Sequence, residues 1–598
     1  MSISRFNRLV GFLALGLLVG ASLAAADVAV DPEFKSGGQD LDTWRQDQAV
    51  RFKALLASIG DLPHTPGVLL ELTAEDRRQI ARSNADGGPG KPYQVGVVRP
   101  VALEVGFDAL HAASLTDDVK PFSGGFVRRT ETGGLVWAMR LDTGDSGGAR
   151  MHLKNLRLPA GASLTLYNAN GDVRGPYHGV AESLWTHSID GDAIFLQIEA
   201  PRVRDAGIRS IRFRIEEALL IDSQALAFCP INASCVEDGS CYDTSDWAMI
   251  EVARKAIANM LFIQGGSGYI CTGGLLNDTD TSTQIPYFLT ANHCISTQTV
   301  ASTVETRFNY QTATCGGACV WPNTPTTLGA TLLHTSATDD HTLLRLTQDP
   351  LAGAAFLGWS TSPVANTSES ALYRLSHPKG SPQAYSTHVV STTAGTCRGL
   401  PRGAFIYSRD QVGAIEGGSS GSPVMNQEAQ VVGQLFGKCG TNLGDVCDAA
   451  SNATVDGAFA NYFSQVAEWL DPGSDPEPCP SELLVADQSD TANWLSLLRG
   501  VRDQVLPTLS DGAWIRERYY RHAAEVTRIL MGDRRLRARA LALLQDLRPA
   551  LETAVAGGDL VMNRREQGVM IGFATALQDS ASPDLADDLE RFVAIARR

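Results

Sequence analysis

The stretch Glu416-Gly417-Gly418-Ser419-Ser420-Gly421-Ser422-Pro423 decides how this chain is read. A serine hydroxyl attacks a carbonyl only when a neighbouring base takes its proton. The oxyanion that results needs two backbone N–H donors aimed at one point. Gly418 lets the backbone approach that point with no side chain in the way. Ser420 is therefore the expected nucleophile, with the N–H groups of Gly418 and Ser420 as the expected oxyanion donors. The run Gln430-Val431-Val432-Gly433-Gln434-Leu435-Phe436 reads as the strand whose edge binds substrate backbone. The string is not a G-x-S-x-G turn, because Ser422 stands where that pattern needs glycine. Alone it reads as readily as a Gly/Ser-rich loop.

Two further segments decide between those readings. Tyr287-Phe288-Leu289-Thr290-Ala291-Asn292-His293-Cys294 places His293 at the end of an apolar strand, and Cys271-Thr272-Gly273-Gly274-Leu275-Leu276 is a second short strand upstream. Asp340-His341-Thr342-Leu343-Leu344-Arg345-Leu346 leads from an aspartate into another apolar strand. A carboxylate so placed can be buried, hold an imidazole in one tautomer and stabilise the imidazolium. His293, Asp340 and Ser420 are thus expected as base, orienting carboxylate and nucleophile. A second serine string, Gly144-Asp145-Ser146-Gly147-Gly148, lies between two strand-like runs and is expected to be a hairpin turn. Ala149 rather than proline follows it, and it precedes every suitable histidine. His341 is expected to point away from its neighbour on a strand. His377 reads as a loop or pocket-wall residue, and His522 as part of a polar helix face.

The whole chain bounds the class. Its 598 residues suggest three or four domains, and 44% hydrophobic residues allow a sizeable core. A net charge of -16 disfavours nucleic acid as a partner. Arg5 and Arg8, an apolar stretch from Leu9 to Leu23, and Ala24 and Ala26 form a secretory signal, residues 1–26. The protein is accordingly expected to be secreted, passing through the periplasm, with no membrane association after signal removal. Ten of the 11 cysteines fall between 229 and 447, which in an oxidising compartment predicts disulfides. Cys479 is the candidate to stay unpaired.

Residues 27–228 contain no cysteine, which marks a boundary at 228. Leu41 to Ile59 has helical spacing. The runs at 135–141, 151–158, 164–167 and 194–198 predict a β-sandwich over 93–216. Residues 229–470 contain many short strands, and Pro472, Pro476, Pro478 and Pro480 predict a linker over 471–482. Beyond it, Trp514, Ile515, Tyr519, Val526, Ile529 and Leu530, then 536–547, then Leu585, Leu589, Phe592 and Ala596, predict a small helical domain over 483–598.

With these residues in view, Cys229 to Pro472 resembles the lysyl endopeptidases, secreted bacterial members of the chymotrypsin-like serine proteases. The strings that carry the resemblance are Cys229 to Cys235, Cys271 to Gly273, Phe288 to Cys294, Asn309 to Cys315, Asp340 to Leu346 and Gly418 to Pro423. It implies a mostly β fold: a chymotrypsin-like double β-barrel core, preceded by a pro-region with the β-sandwich and followed by the helical domain. It implies hydrolysis of peptide bonds in protein or peptide substrates through an acyl-enzyme, with no cofactor and no metal. Implied disulfides are Cys271–Cys294, Cys235–Cys315, and Cys229 to the segment holding Cys439 and Cys447. Cys241, Cys319 and Cys397 are left without partners.

The chain departs from this family at two places. Where lysine-specific relatives carry an aspartate before a G-R-F-like strand, this chain has Thr454 before Gly457-Ala458-Phe459. Asp456, Asp445 and Asp448 lie nearby, and Glu416, Thr454 and Asp456 are taken as pocket residues for a Lys or Arg at P1. Ser419, not aspartate, precedes the nucleophile, so activation by a new N-terminal amine is unavailable. The pro-region is expected instead to act as intramolecular inhibitor or chaperone. No Lys or Arg lies between Arg214 and Cys229, so self-cleavage by a basic-specific enzyme would fall at Arg214 or earlier. The competing reading is an inactive homologue acting as an extracellular binding protein. A carbohydrate-binding role would rest on the sandwich alone.

Overall fold

In the computed structural model, the alternating runs between residues 93 and 221 form two layers of antiparallel strands. The structure describes residues 28–598 apart from 61–67, 86–87, 202–203, 224–231, 281, 320–323, 398, 473–479, 486–487, 489, 502–504, 506–517, 519–521, 523–524, 557, 559–562 and 597–598. The signal segment, Cys229, Cys479, Trp514, Ile515 and Tyr519 therefore lie outside the described residues.

One layer runs Val173–Tyr177, Ser163–Asn168, Ala193–Ala200, Leu135–Asp142, Gly125–Arg129, Lys120–Phe122. The other runs Val180–Trp185, Gly148–Arg157, Arg212–Ile221, Tyr93–Gly106. Between them Trp137 packs edge-on against Phe107 and Phe213, all buried. This is the expected sandwich, with its last strand running on to Ile221. The helix expected over 41–59 is Leu41–Ile59, capped by Asp40 accepting from Thr43 N–H at 2.8 Å. The segment 144–147 is a turn but not the expected hairpin: Leu135–Asp142 lies in one layer and Gly148–Arg157 in the other, so it carries the chain across the sandwich, with Gly147 N–H donating to Ile221 O.

The sandwich does not end at its own edge. Tyr93–Gly106 pairs with Ser267–Leu276, placing Tyr93 opposite Ile270 and Val97 opposite Ser267. A 12-stranded sheet thus runs from the sandwich into the next barrel. Ala29–Leu470 accordingly packs as one unit, and Asp471–Arg598 as another.

In the first barrel, Ser267–Leu276 is flanked by Ile257–Gln264 and by Tyr287–Ala291; the latter pairs with His341–Leu346, which pairs in turn with Ala330–Ser336. Glu305–Phe308 and Thr326–Leu328 continue from the far side of Ile257–Gln264. Its interior is apolar, with Met260, Phe262, Phe288 and Leu344 fully buried. The second barrel closes on itself: Ala371–Ser376, Ala384–Val390, Phe405–Val412, Asn452–Ala458, Gln430–Gly440 and Pro423–Met425, which returns to Ala371–Ser376 through Tyr373 and Met425. An N-terminal strap adds Ala29–Val30 to Gly358–Ser360 and Glu33–Phe34 to Ala355–Phe356.

Four disulfides are Cys235–Cys447, Cys241–Cys315, Cys271–Cys294 and Cys397–Cys439, and Cys319 is bonded as well. Cys271–Cys294 is as expected. Cys235–Cys315 is not formed, because Asp238 accepts from Thr312 Oγ1 and Gly316 N–H, which draws Cys241 to Cys315 with Cα atoms 4.4 Å apart. Cys439 and Cys447 are engaged with Cys397 and Cys235, so neither is available to Cys229.

The second unit is helical: Pro480–Val485, Thr491–Gly500, Arg534–Val555, Arg564–Gln578 and Pro583–Ala596 surround Trp494, Leu543, Phe573 and Leu589. The linker expected over 471–482 ends sooner, because Pro480 opens a helix. Proline is well tolerated there, since a first-turn N–H has no intrahelical acceptor anyway.

Candidate active site

The strand Tyr287–Ala291 ends where Asn292 and His293 turn toward the second barrel. His293 is held twice by one carboxylate: its N–H donates to Asp340 Oδ1 at 2.9 Å, and Nδ1 meets Oδ2 at 2.8 Å. Asn292 N–H donates to Asp340 O at 3.0 Å. Both side chains are largely buried, 10% and 6% exposed. A carboxylate on Nδ1 leaves Nε2 to face the chemistry. That Nε2 is buried and makes no hydrogen bond among the described residues, and none joins it to Ser420 Oγ here. Such contacts commonly tighten only when substrate is bound.

Short contacts bring the serine loop to the histidine. Thr272 N–H donates to Ser420 O at 2.8 Å, and its neighbour Cys271 is bonded to Cys294, beside His293. Gly421 is pressed onto the strand that delivers the histidine. A Cβ there would lie 2.2 Å from Thr290 Oγ1 and 2.8 Å from Ala291 N, at a φ of +79°. Ser419 N–H donates to Glu416 O and Gly421 N–H to Leu435 O. The N–H groups of Gly418 and Ser420 have no acceptor among the described residues. The turn therefore presents two unengaged donors beside the candidate nucleophile. Gly418 holds a φ of +95° with His377 O and Lys379 N packed where a side chain would be.

Cys271, His293 and Cys294 bring three possible ligand atoms within 4.8 Å of one another. The sulfurs are bonded to each other, so this is a disulfide packed against the ring rather than a metal centre.

The three acidic or polar pocket candidates are each engaged internally. Glu416 pairs with Lys379 at 2.7 Å. Asp456 pairs with Arg374, both fully buried inside the second barrel. Thr454 donates to Asp410, which also binds Lys438 at 2.8 Å and His388 at 2.9 Å. Burial alone would raise the Asp410 pKa, but His388 and Lys438 hold it well below the usual carboxylate range.

His377 is buried, as a wall residue would be, and stacks on Tyr310. His341 faces His334 and stacks on Tyr462, away from His293. His522 is buried against Asp588, not on an open polar face. Sequence reasoning missed a second serine–histidine–aspartate chain, Ser386 Oγ to His388 Nε2 and His388 Nδ1 to Asp410, each at 2.9 Å. Alternation on neighbouring strands could have flagged it. Ser386 is 2% exposed, so no substrate reaches it.

An open half-barrel carrying His293 and Asp340, beside a closed six-stranded barrel carrying the Ser420 turn, defines a chymotrypsin-like protease core. Residues 231–452 match the family described as lysyl endopeptidase, C-terminal domain. A lysyl endopeptidase of Pseudomonas aeruginosa is 29% identical over 425 residues, 67% of this chain and 87% of that protein. The secreted RxLR effector protein 73 of Plasmopara viticola is 29% identical over 215 residues, 34% of this chain and 49% of its own. Among solved structures, the HtrA-type protease AlgW with a tripeptide aligns at 15% identity and TM-score 0.27, over 38% of this chain and 63% of that one. An inactive form of Rv3671c from M. tuberculosis aligns at 13% and 0.26, over 38% and 91%. Residues 231–452 thus form a lysyl endopeptidase-like protease domain, and the chain is a protease, a hydrolase.

Proposed function

We propose that the chain is the precursor of a secreted serine endopeptidase in which Ser420 is the nucleophile, His293 the general base and Asp340 its orienting carboxylate. Ser420 Oγ attacks the scissile carbonyl and its proton passes to His293 Nε2. The C–N bond then breaks, and His293 returns the proton to the leaving amine. Water hydrolyses the acyl-enzyme by the same proton path in reverse. Gly418 and Ser420 N–H groups stabilise the oxyanion. The observation that carries this reading is the doubly bonded His293–Asp340 pair beside a serine turn with two unengaged N–H groups. Residues 1–26 act as its secretion signal. Among the described residues no helix is long and apolar enough to cross a membrane.

The same reading makes the pro-region an inhibitor. Gly90 N–H donates to Phe436 O at 3.3 Å, on the strand expected to bind substrate backbone. Pro89 stands where a side chain on Gly437 would lie, and Tyr93 covers Gly417. The ring of Phe436 lies edge-on to His293. For P1 we infer Lys or Arg, with Glu416 at the rim of the serine turn as the acid that a substrate cation shares with Lys379.

A fluorophosphonate probe tests the reading. The mature wild type is expected to label and Ser420→Ala not to label. An inert, correctly processed wild type would favour the binding-protein alternative. Profiling with a mixed peptide library tests P1: a preference for acidic or bulky apolar residues would remove the basic pocket.

A further inference from the structure

Asp340 carries the orienting carboxylate on a backbone that L residues avoid, at a φ of +53°. Such a conformation persists only where its surroundings over-determine it. Part of that restraint is local, from Asn292 N–H to Asp340 O and from His293 N–H to Asp340 Oδ1. The rest comes from the other barrel. Gln434, on Gln430–Gly440, donates its side-chain amide to Asp339 O and Asp340 O, at 3.1 Å each. It is fully buried. Its Oε1 accepts from Tyr462 O–H at 2.5 Å. Two carbonyls can only accept, so the NH₂ end must face them, and the tyrosine completes the amide's bonding.

The space for this contact is built into the chain. A Cβ on Gly457 would lie 2.2 Å from Gln434 Nε2 and 2.4 Å from Asp339 O. Tyr462 is buried and stacked on His341 with ring centroids 3.9 Å apart, so its hydroxyl is fixed. The Asp339 carboxylate is anchored separately by Asn461 at 2.6 Å and Gln465 at 3.2 Å.

The next residue along the strand grips the other half of the site. Leu435 O accepts from Gly421 N–H at 2.9 Å, and Leu435 N–H donates to Ser422 O at 3.0 Å. Consecutive residues of one strand therefore hold the aspartate turn by a side chain and the serine turn by the backbone. We infer that Gln434 is a positioning residue for proton transfer. It sets the distance between the Asp340–His293 pair of the first barrel and Ser420 of the second, with Tyr462 fixing its amide. This rests on the catalytic roles proposed above.

The test uses the full chain, secreted and matured as wild type, with Gln434→Leu, Tyr462→Phe and Ser420→Ala compared on one peptide substrate. Gln434→Leu is expected to lower kcat roughly 10–100-fold, the scale of a misplaced reacting group, with KM within about twofold. Tyr462→Phe, which leaves the amide unanchored, is expected to lower kcat about three- to tenfold at unchanged KM, and fluorophosphonate labelling should slow in parallel. If Gln434→Leu does not fold, Tyr462→Phe decides alone. Wild-type kcat in the folded variants, or kcat and KM changing together with loss of folded protein, would overturn the assignment. Ser420→Ala separates the two levels. Turnover retained in that variant refutes the catalytic roles themselves. An inert Ser420→Ala beside fully active Gln434 and Tyr462 variants refutes only the clamp.

Discussion

Acidifying the protein should charge His377 at the expense of the fold, and replacing that residue should remove a measurable part of the acid sensitivity. Its ring is fully buried, and burial is the main reason its pKa falls from 6.5 to about 4. The hydrogen bond from Nδ1 to Ser381 O, 2.9 Å, partly opposes the drop, and Arg307 adds to it. The folded state therefore binds its proton later than the unfolded chain does. Above pH 6.5 neither state is charged and stability is complete. Between 6.5 and about 4 only the unfolded state gains the proton, so stability falls as pH falls, by up to about 1.4 kcal/mol per unit. At pH 4.5 the accumulated loss from this residue is about 2–3 kcal/mol. His377→Gln keeps a donor for Ser381 O but carries no titrating group. It gives up the stack on Tyr310, about 1 kcal/mol, at every pH. Urea unfolding of both proteins in a Ser420→Ala background, at pH 7 and pH 4.5, measures the difference. The variant should be slightly the weaker at pH 7 and the stronger at pH 4.5. A gap between them that stays constant across that range would refute the argument.

Two further outcomes follow from the pro-region contacts. Glu305 is fully buried, and although burial alone would raise its pKa, Arg307 and Arg150 hold it below the ordinary value. Glu305→Leu removes the buried carboxylate that both guanidinium groups share and should destabilise the chain by about 3–5 kcal/mol in urea unfolding; an unchanged midpoint would contradict it. Gly90→Leu puts side-chain atoms where the Phe436 ring lies, 2.8 Å from the glycine's Cβ position. It should lift the segment from the strand and raise precursor activity on a small substrate before any cleavage, whereas an equally silent precursor would place the block elsewhere.

The catalytic candidates were legible because each sits at the end of an apolar strand, where a short local string carries both the strand and the polar residue that follows it. His293 after Tyr287–Ala291 and Asp340 before His341–Leu346 are of this kind. The sandwich was legible by alternation. The partner of Cys315 was not, because Cys235 and Cys241 stand only six positions apart. Which of them reaches Cys315 depends on Asp238 finding Thr312 and Gly316 across the fold. The pocket acids were visible as residues, but their internal partners were not: Arg374 is 82 positions from Asp456. Nor does sequence announce a shared sheet edge. An unpaired strand edge offers the same backbone groups whatever its side chains, so Ser267–Leu276 gave no sign that it would pair with Tyr93–Gly106.

That shared edge bears on the two roles proposed for the segment before residue 229. Along Ser267–Ile270 it supplies the second neighbour that the first barrel's strand otherwise lacks. Farther along the same sheet, Ser188 donates to Glu305 through both its N–H and Oγ, and Arg307 donates back to Ser188 Oγ. Arg150 and Arg174 donate to the carbonyls of Thr303 and Thr324. An ionised group is costly to bury unless its partners are already in place. Here some of the partners of Glu305, Ser188 and Arg150, belong to the sandwich, so this packing of the barrel includes the sandwich. None of these contacts touches the serine turn. Other contacts reach the cleft: Pro89 and Gly90, just ahead of the shared strand, meet Gly437 and Phe436, and Tyr93, its first residue, meets Gly417 of the serine turn. If the segment both assists folding and blocks the cleft, as proposed, the charged contacts at Glu305 and the cleft contacts at Pro89 and Gly90 fall on different residues, so a change in either set should alter one role and leave the other intact.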